Sequence, residues 1–555
     1  MVKRILSLLH KEVRGLHEAA YLLGFFALFS QLLALLRDRL LTGQFGAGEI
    51  LDVYYAAFRI PDFIFVSIAS IVSLSVLIPF LTERVNSTED KGRQFIANIF
   101  VFFSLSILFV SSVAFIFTPE LLKIFVPGLT DTALYNELVN LTRLLLLQPI
   151  FLGLSSLFAS VVHVYQRFVI YAISPLLYNV GIIFGVLFFY PSVGIIGLGY
   201  GVVLGAFFHM LLQLSFIIKK GFLPHFPLRF NWGEIKQVVM LSLPRTLALS
   251  SSQISFIFLV AFASFMAKGS ISVFSLSFNL QSVPLAIIGA SYSVAAFPTL
   301  ARLYSNGERD SFFTHITTAA RHIIFWSLPA IVLFIVLRAQ IVRVILGSGE
   351  FTWADTRLTA AALALFAVSV LAQSLVLLFV RGYYAAGKTA KPLIVNVFSS
   401  FLIVIFAFVL ISLFKSVPIF QYFIESLLRV EGIEGTSVLM LPLAYSLAFL
   451  INAFLFWYLF QQDFRKFSST LSRTFFESLS AAVVMGIATH QFLNVFDNVF
   501  DLDTFFGIFS QGLLSGILGI IVGILTLKLL GNKEIDEVWK SLHNKFWKTN
   551  VISSE

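Results

Sequence analysis

The 555-residue chain contains no cysteine. That excludes disulfides, thiolate metal sites and cysteine nucleophiles. Charge is scarce too: Asp, Glu, Lys and Arg make up 12% of the residues, against about 25% in a soluble domain. No Walker A sequence, HExxH or GxSxG motif occurs, and the nine histidines are scattered. His163, His209, His322 and His490 read as interface residues, not metal ligands. No enzymatic activity, metal or cofactor is expected. No basic run is interleaved with aromatics, so no nucleic-acid partner is expected either.

What the chain has is apolar length. Hydrophobic residues make up 58% of it, and the mean hydropathy is +0.92. Apolar runs of roughly 18 or more residues, each long enough to cross ~30 Å of hydrocarbon, recur throughout. Fourteen are expected, from 19–41 and 53–81 at the start to 474–496 and 505–530 at the end. The stretch from Lys415 to Ser437 reads as an amphipathic interfacial helix. Residues 1–18 carry no cleavable signal peptide and read as a basic amphipathic segment at the cytosolic surface.

The formal net charge of +9 has a topological reading. With the N-terminus inside and fourteen spans, 26 basic residues fall in inside segments and 7 outside. By the positive-inside rule both termini are cytoplasmic. Five arginines remain within spans: Arg37, Arg39, Arg59, Arg143 and Arg245.

The chain also repeats. Pro175-Leu176-Leu177-Tyr178-Asn179-Val180 matches Pro392-Leu393-Ile394-Val395-Asn396-Val397, and Ile78-Pro79-Phe80-Leu81 matches Phe297-Pro298-Thr299-Leu300. The offsets are 217 and 219 residues, with six spans between copies. An even number preserves topology, so the copies are parallel repeats, as in transporters that rock two lobes around a midplane site. The expected fold is all-α and integral to the membrane. A cytosolic segment at 1–18 precedes an N-lobe at 19–218 (spans 1–6) and a C-lobe at 219–461 (spans 7–12). An appended pair follows at 462–530 (spans 13 and 14), then a cytosolic tail at 531–555.

An ionised side chain at the bilayer centre costs about 2.5–3.5 kcal/mol even on lenient scales. Arg37 and Asp38 are adjacent and point about 100° apart on a helix. Arg59 lies early in span 2, before Pro61 and Asp62. Two readings stand: internal pairing with Asp38, Asp52 or Asp62, or anion binding through the bidentate guanidinium fork. Arg39 and Arg143 lie near span ends, where snorkelling is the default. Arg245 follows Pro244 in span 7, among Ser242, Ser250, Ser251, Ser252 and Gln253, a stretch that suits either a wet wall or helix packing.

Several segments resemble the MurJ (MviN) lipid II flippases of the MOP exporter superfamily. Leu36-Arg37-Asp38, Phe45-Gly46-Ala47-Gly48, Asp52 and Ala57-Phe58-Arg59-Ile60-Pro61 are similar to that family's span 1 to span 2 signature. Thr142-Arg143, Pro149, Arg167-Phe168 and Pro175 with Asn179 are similar to its spans 4 and 5. Ser252-Gln253-Ile254-Ser255 and Gly269-Ser270-Ile271-Ser272 resemble span 7 and the turn after it, and Arg381 with Tyr383-Tyr384 resembles span 10. The resemblance implies a flippase of a polyisoprenoid-pyrophosphate-linked peptidoglycan precursor in the bacterial plasma membrane, working among membrane lipids and cell-wall synthesis proteins. The implied headgroup site is a cationic cavity with Arg37, Asp38, Asp52, Arg59 and Arg245, and with Gln31, Asn279 and Arg143 as secondary members. The implied lipid-tail groove is formed by spans 13 and 14. The family commonly has basic residues where this chain has Gln31, Phe65, Val66 and Asn279, and a glutamate near Ser70. Alternatives are another exporter of the superfamily (an O-antigen or teichoic-type lipid flippase, or a drug/cation antiporter) and a non-transporting scaffold.

Overall fold

The structure, a computed structural model, describes residues 16–72, 74–223, 231–464 and 469–546. Most of the expected N-terminal segment 1–18 and the last nine residues of the tail lie outside these, as do Arg229, Arg465 and Lys466 of the charge count. Every regular element among the described residues is a helix.

Two compact units divide the chain. The first holds residues 1–275 with 345–355 and 396–404. Its helices are α1 (Leu16–Phe45), α2 (Glu49–Ala57), α3 (Arg59–Ile64), α4 (Leu74–Ser87), α5 (Glu89–Ile116), α6 (Thr118–Phe125), α7 (Tyr135–Leu145), α8 (Leu147–Val164), α9 (Phe168–Phe184), α10 (Tyr190–Val193), α11 (Ile195–Lys219) and α12 (Trp232–Ser264), with the start of α13 (Ser270–Pro284). The second unit holds the rest of α13, then α14 (Ser291–Ser305), α15 (Arg309–Val336), most of α16 (Arg338–Leu346) and of α17 (Trp353–Ala367), α18 (Val370–Ala385), parts of α19 (Ala390–Ser416), α20 (Pro418–Leu428), α21 (Met440–Asp463), α22 (Ser469–Asp497), α23 (Phe505–Leu529) and α24 (Lys533–Phe546).

The chain is a multi-pass membrane protein. Eleven spans among the described residues are long and apolar enough to cross a bilayer, and the pair α17–α18, bent by 42°, makes a twelfth. The first two expected spans are not among them. The first falls on α1, an unbroken helix of 30 residues with Arg37, Asp38 and Arg39 towards its C-terminal end, and the second stretch is broken at Phe58 and turns again at 70–72.

Proline placement explains part of this irregularity. Pro61 sits four residues before a π-helical turn at Phe65–Ala69, and Pro284 immediately precedes another at Leu285–Ala290. Proline removes a ladder donor and crowds the preceding turn, which for Pro61 is the turn broken at Phe58. Elsewhere small residues allow close helix approach. A Cβ added at Gly181 of α9 would lie 2.3 Å from Gly205 Cα of α11, so the two backbones touch, as helices in lipid need when dispersion is their main attraction. In the second unit Phe312, Phe379, Tyr383, Phe456 and Phe460 are sealed in one core. The Phe379 and Phe460 ring centroids are 5.3 Å apart. Helix α20 falls in the stretch read from sequence as interfacial.

Candidate functional site

The charges in α1 are coupled to each other. Arg37 donates from Nε (2.9 Å) and NH2 (2.7 Å) to Oδ1 of Asp38. Its NH1 donates to Asn179 Oδ1 of α9 at 3.2 Å. Asn179 is positioned in turn by Ser30 Oγ at 3.4 Å and the Pro175 carbonyl at 3.2 Å. Although the two α1 side chains leave the helix at different angles, the long arginine wraps back to its neighbour. Asp38 is 3% exposed. The pair therefore carries its own counter-charge, as buried ions must.

Arg59 is held differently. Its Nε donates to the Tyr55 carbonyl at 3.0 Å, and its guanidinium lies 5.0 Å from the centre of the Phe256 ring. Backbone and ring fix the side chain, and the charge of nearby Asp62 offsets part of its own without an ion-pair contact. Among the described residues no carboxylate forms an ion pair with it, and NH1 and NH2 have no protein acceptor. The nearby Asp62 instead accepts from Gln148 Nε2 at 3.5 Å. Arg59 is half-buried, so this uncommitted fork still meets the exterior of the fold. Two parallel N–H donors in that geometry suit phosphate oxygens.

Asp52 does other work. It is 4% exposed. Its Oδ2 accepts from the Gly269 N–H at 2.7 Å, and its Oδ1 from the Ser272 N–H at 2.7 Å and Ser272 Oγ at 2.6 Å. The carboxylate thus caps the N-terminus of α13, where unpaired donors and the helix dipole favour an anion. Lys268 and Glu49 form an ion pair of 2.7 Å beside it. The end of α1 is tied down nearby: Thr42 Oγ1 donates to the Leu346 carbonyl at 2.8 Å, Ser348 Oγ to Arg39 O at 3.2 Å and the Glu350 N–H to Gly43 O at 3.0 Å. Arg39 NH1 reaches the Ile345 carbonyl at 3.5 Å in the same cluster.

Helix α12 meets the span 2 π turn through hydroxyls. Ser67 and Ser250 are 3.1 Å apart, Ser70 Oγ donates to Thr246 Oγ1 at 2.8 Å, and Ser242 Oγ to the Ile71 carbonyl at 2.9 Å. Part of the span 7 serine run therefore serves helix packing, and Arg245 stands exposed on α12 between these contacts. Arg143 lies against Phe115, its Nε donating to that residue's carbonyl at 3.2 Å. Gln31 is half-buried on α1, and Asn279 is half-buried on α13 in the second unit.

Residue type and spacing did not identify Tyr55, Phe256 and Gln148 as parts of this site. Tyr55 acts through its backbone, and Phe256 is one of 64 phenylalanines. Gln148 carried a signal, a lone amide beside Pro149 in an apolar run.

A family model described as "Lipid II flippase MurJ" matches residues 41–510. The probable lipid II flippase MurJ of Haemophilus influenzae is 25% identical over 529 residues, covering 91% of this chain and 98% of its own. That of Buchnera aphidicola subsp. Acyrthosiphon pisum is 28% identical over 382 residues, covering 67% and 74%. Among solved structures, a lipid II flippase MurJ in an inward closed conformation superposes with TM-score 0.71 at 22% identity, covering 94% of this chain and all of its own. An inward-facing MATE multidrug transporter of the MOP superfamily reaches 0.64 at 14% identity, covering 80% and 96%.

Proposed function

The chain belongs to the MurJ lipid II flippase family, and from that premise we propose that it carries a polyisoprenoid-pyrophosphate-linked peptidoglycan precursor from the inner to the outer leaflet. The observation that carries this reading is Arg59: a guanidinium held by a carbonyl and a ring, with its terminal donors uncommitted among the described residues. A pyrophosphate oxygen fits that fork. Arg37, splinted by Asp38 and Asn179, is the second member of the site and Arg245 the third. A bound pyrophosphate would draw Arg37 from a counter-ion it already has. Asp52 contributes as a clasp and not as a ligand, since both its oxygens are occupied.

Transport by this reading alternates between two states of fourteen spans, with both termini cytoplasmic. Two parallel lobes rock against each other, at 19–218 and 219–461, and spans 13 and 14 hold the lipid tail. Of the three π-helical turns among the described residues, at 65, 185 and 285, the first and last lie 220 residues apart, a spacing that agrees with the repeat. The hydrogen bonds at the end of α1 and around Asp52 close one end of the path and must part for release. Outward movement of the pyrophosphate runs down an inside-negative potential, worth about 2.3 kcal/mol per charge per 100 mV.

Cation antiport is less well supported. Asp38 is paired, Asp52 accepts three hydrogen bonds and Asp62 accepts from Gln148. Complementation of a strain depleted of its own lipid II flippase tests the proposal. Growth restored by the wild-type chain supports it, and lysis despite normal membrane insertion refutes it.

A further inference from the structure

We propose that the C-terminal end of α20, with Arg338, Arg357 and Arg429, forms a headgroup site for an anionic phospholipid in the leaflet where α20 lies. Helix α20 has eleven residues, about 16 Å, too short to span. Its Ile419, Tyr422, Phe423 and Leu427 share one face and are 57–82% exposed. Within the same unit the end of the preceding helix α19 also exposes Ile405 and Phe408. The polar side of α20 is turned inward: Glu425 accepts from Gln421 Nε2 at 2.9 Å and Thr436 Oγ1 at 2.6 Å. An amphipathic helix in this position lies in the bilayer interface.

The arginines converge on the end of that helix. Arg338 NH2 donates to the Leu428 carbonyl at 2.9 Å, and Arg357 Nε to the next carbonyl, that of Arg429, at 3.1 Å. They are three of the seven basic residues that the charge count places outside. None of the three forms an ion pair with a carboxylate among the described residues. Burial and the neighbouring Arg429 charge both push the Arg338 pKa down, a like-charge strain that an anion would relieve. Arg429 itself has φ 59°, the left-handed conformation in which a helix usually ends with glycine. The chain uses glycine for positive φ at 432 and 435 nearby, yet keeps an exposed arginine here in a backbone conformation that side chains disfavour. A lipid phosphate among the three guanidiniums, with its acyl chains along the Tyr422 and Phe423 face, satisfies both the charge and the apolar surface.

The test is native mass spectrometry of the purified full chain titrated with phosphatidylglycerol or phosphatidylcholine. Wild type should hold phosphatidylglycerol the more tightly. R429G suits the left-handed backbone and keeps the fold, and it should lose about fivefold in phosphatidylglycerol affinity with phosphatidylcholine unchanged. The double variant Y422S/F423S should weaken both lipids. Equal phosphatidylglycerol affinity in wild type and R429G would overturn the proposal. So would full competition by millimolar inorganic phosphate, which would make the cluster a soluble-anion site.

Discussion

Asp52 and Ser272, 220 residues apart, are joined twice: one carboxylate oxygen accepts both the backbone N–H and the hydroxyl of the serine. A helix N-terminus is thereby capped by a residue from a distant helix. Such a contact is strong when made and easily lost when the helices separate, which suits a closure.

Asp52→Ala should lower thermal stability by about 1–3 kcal/mol, since it leaves the Gly269 and Ser272 donors unpaired. Ser272→Ala should lose less, because the backbone donor survives. The chain has no cysteine, so a single cysteine at Ala47 reports opening without background. Its labelling by a water-soluble maleimide should rise in Asp52→Ala.

Gly349 has φ +52°, and a Cβ there would lie 2.1 Å from the Gly43 carbonyl oxygen. Gly349→Ala should therefore break the bond between the Glu350 N–H and that carbonyl. Strain of about 1–2 kcal/mol per left-handed residue adds to the clash. The Ala47 cysteine label should react faster here too, and unchanged labelling would remove the closing role assigned to this contact.

Helix α24 is docked by Glu534, which is 1% exposed. Burial alone would raise its pKa, but the Thr474 hydroxyl and the Arg321 guanidinium, each at 2.7 Å, outweigh it and hold the carboxyl below its ordinary value of 4.5. A depressed folded pKa gives stability that is present above the unfolded pKa and lost as pH falls through the folded one. Docking of α24, followed by hydrogen exchange of its amides, should be constant from neutral pH down to about 5 and weaken below about 4. In Glu534→Gln that pH dependence should disappear.

The Arg37–Asp38 pair distinguishes a structural from a functional arginine. Asp38→Asn alone should destabilise, by leaving a half-buried charge without its partner. Arg37→Gln/Asp38→Asn should recover much of that stability. Flipping should stay low in the double variant if Arg37 also binds pyrophosphate. Wild-type flipping in a stable double variant would assign the pair to structure alone.

Much of the fold was legible because apolar length dictates membrane crossing. A short helix, α20, does fall in the stretch from Lys415 to Ser437 that lies between two long apolar runs. The site was legible in part. Arg37 and Arg59 are conspicuous in apolar surroundings, but whether each is paired depends on side-chain reach, which a 100° helical step does not convey. Asp52 looked like a cavity acid because its partners, Gly269 and Ser272, are 217 and 220 residues away. Serines in span 7 fit helix packing and wet walls equally well, and only their partners Ser67, Ser70 and the Ile71 carbonyl distinguish the two.

The energetic account predicts that collapsing the membrane potential slows flipping, while ATP depletion alone leaves it unchanged in vesicles preloaded with substrate. Two uncompensated charges supply about twice 2.3 kcal/mol per 100 mV.

The most direct measurement of the central claim is the rate at which Arg59→Ala flips lipid-linked precursor in vesicles under an imposed inside-negative potential, with melting temperature measured on the same preparation. Losing a charge-assisted fork onto pyrophosphate, about 1.5–3 kcal/mol, predicts a fall of roughly ten- to a hundredfold with melting unchanged, and partial rescue in Arg59→Lys. Wild-type flipping by a well-folded Arg59→Ala would contradict the account.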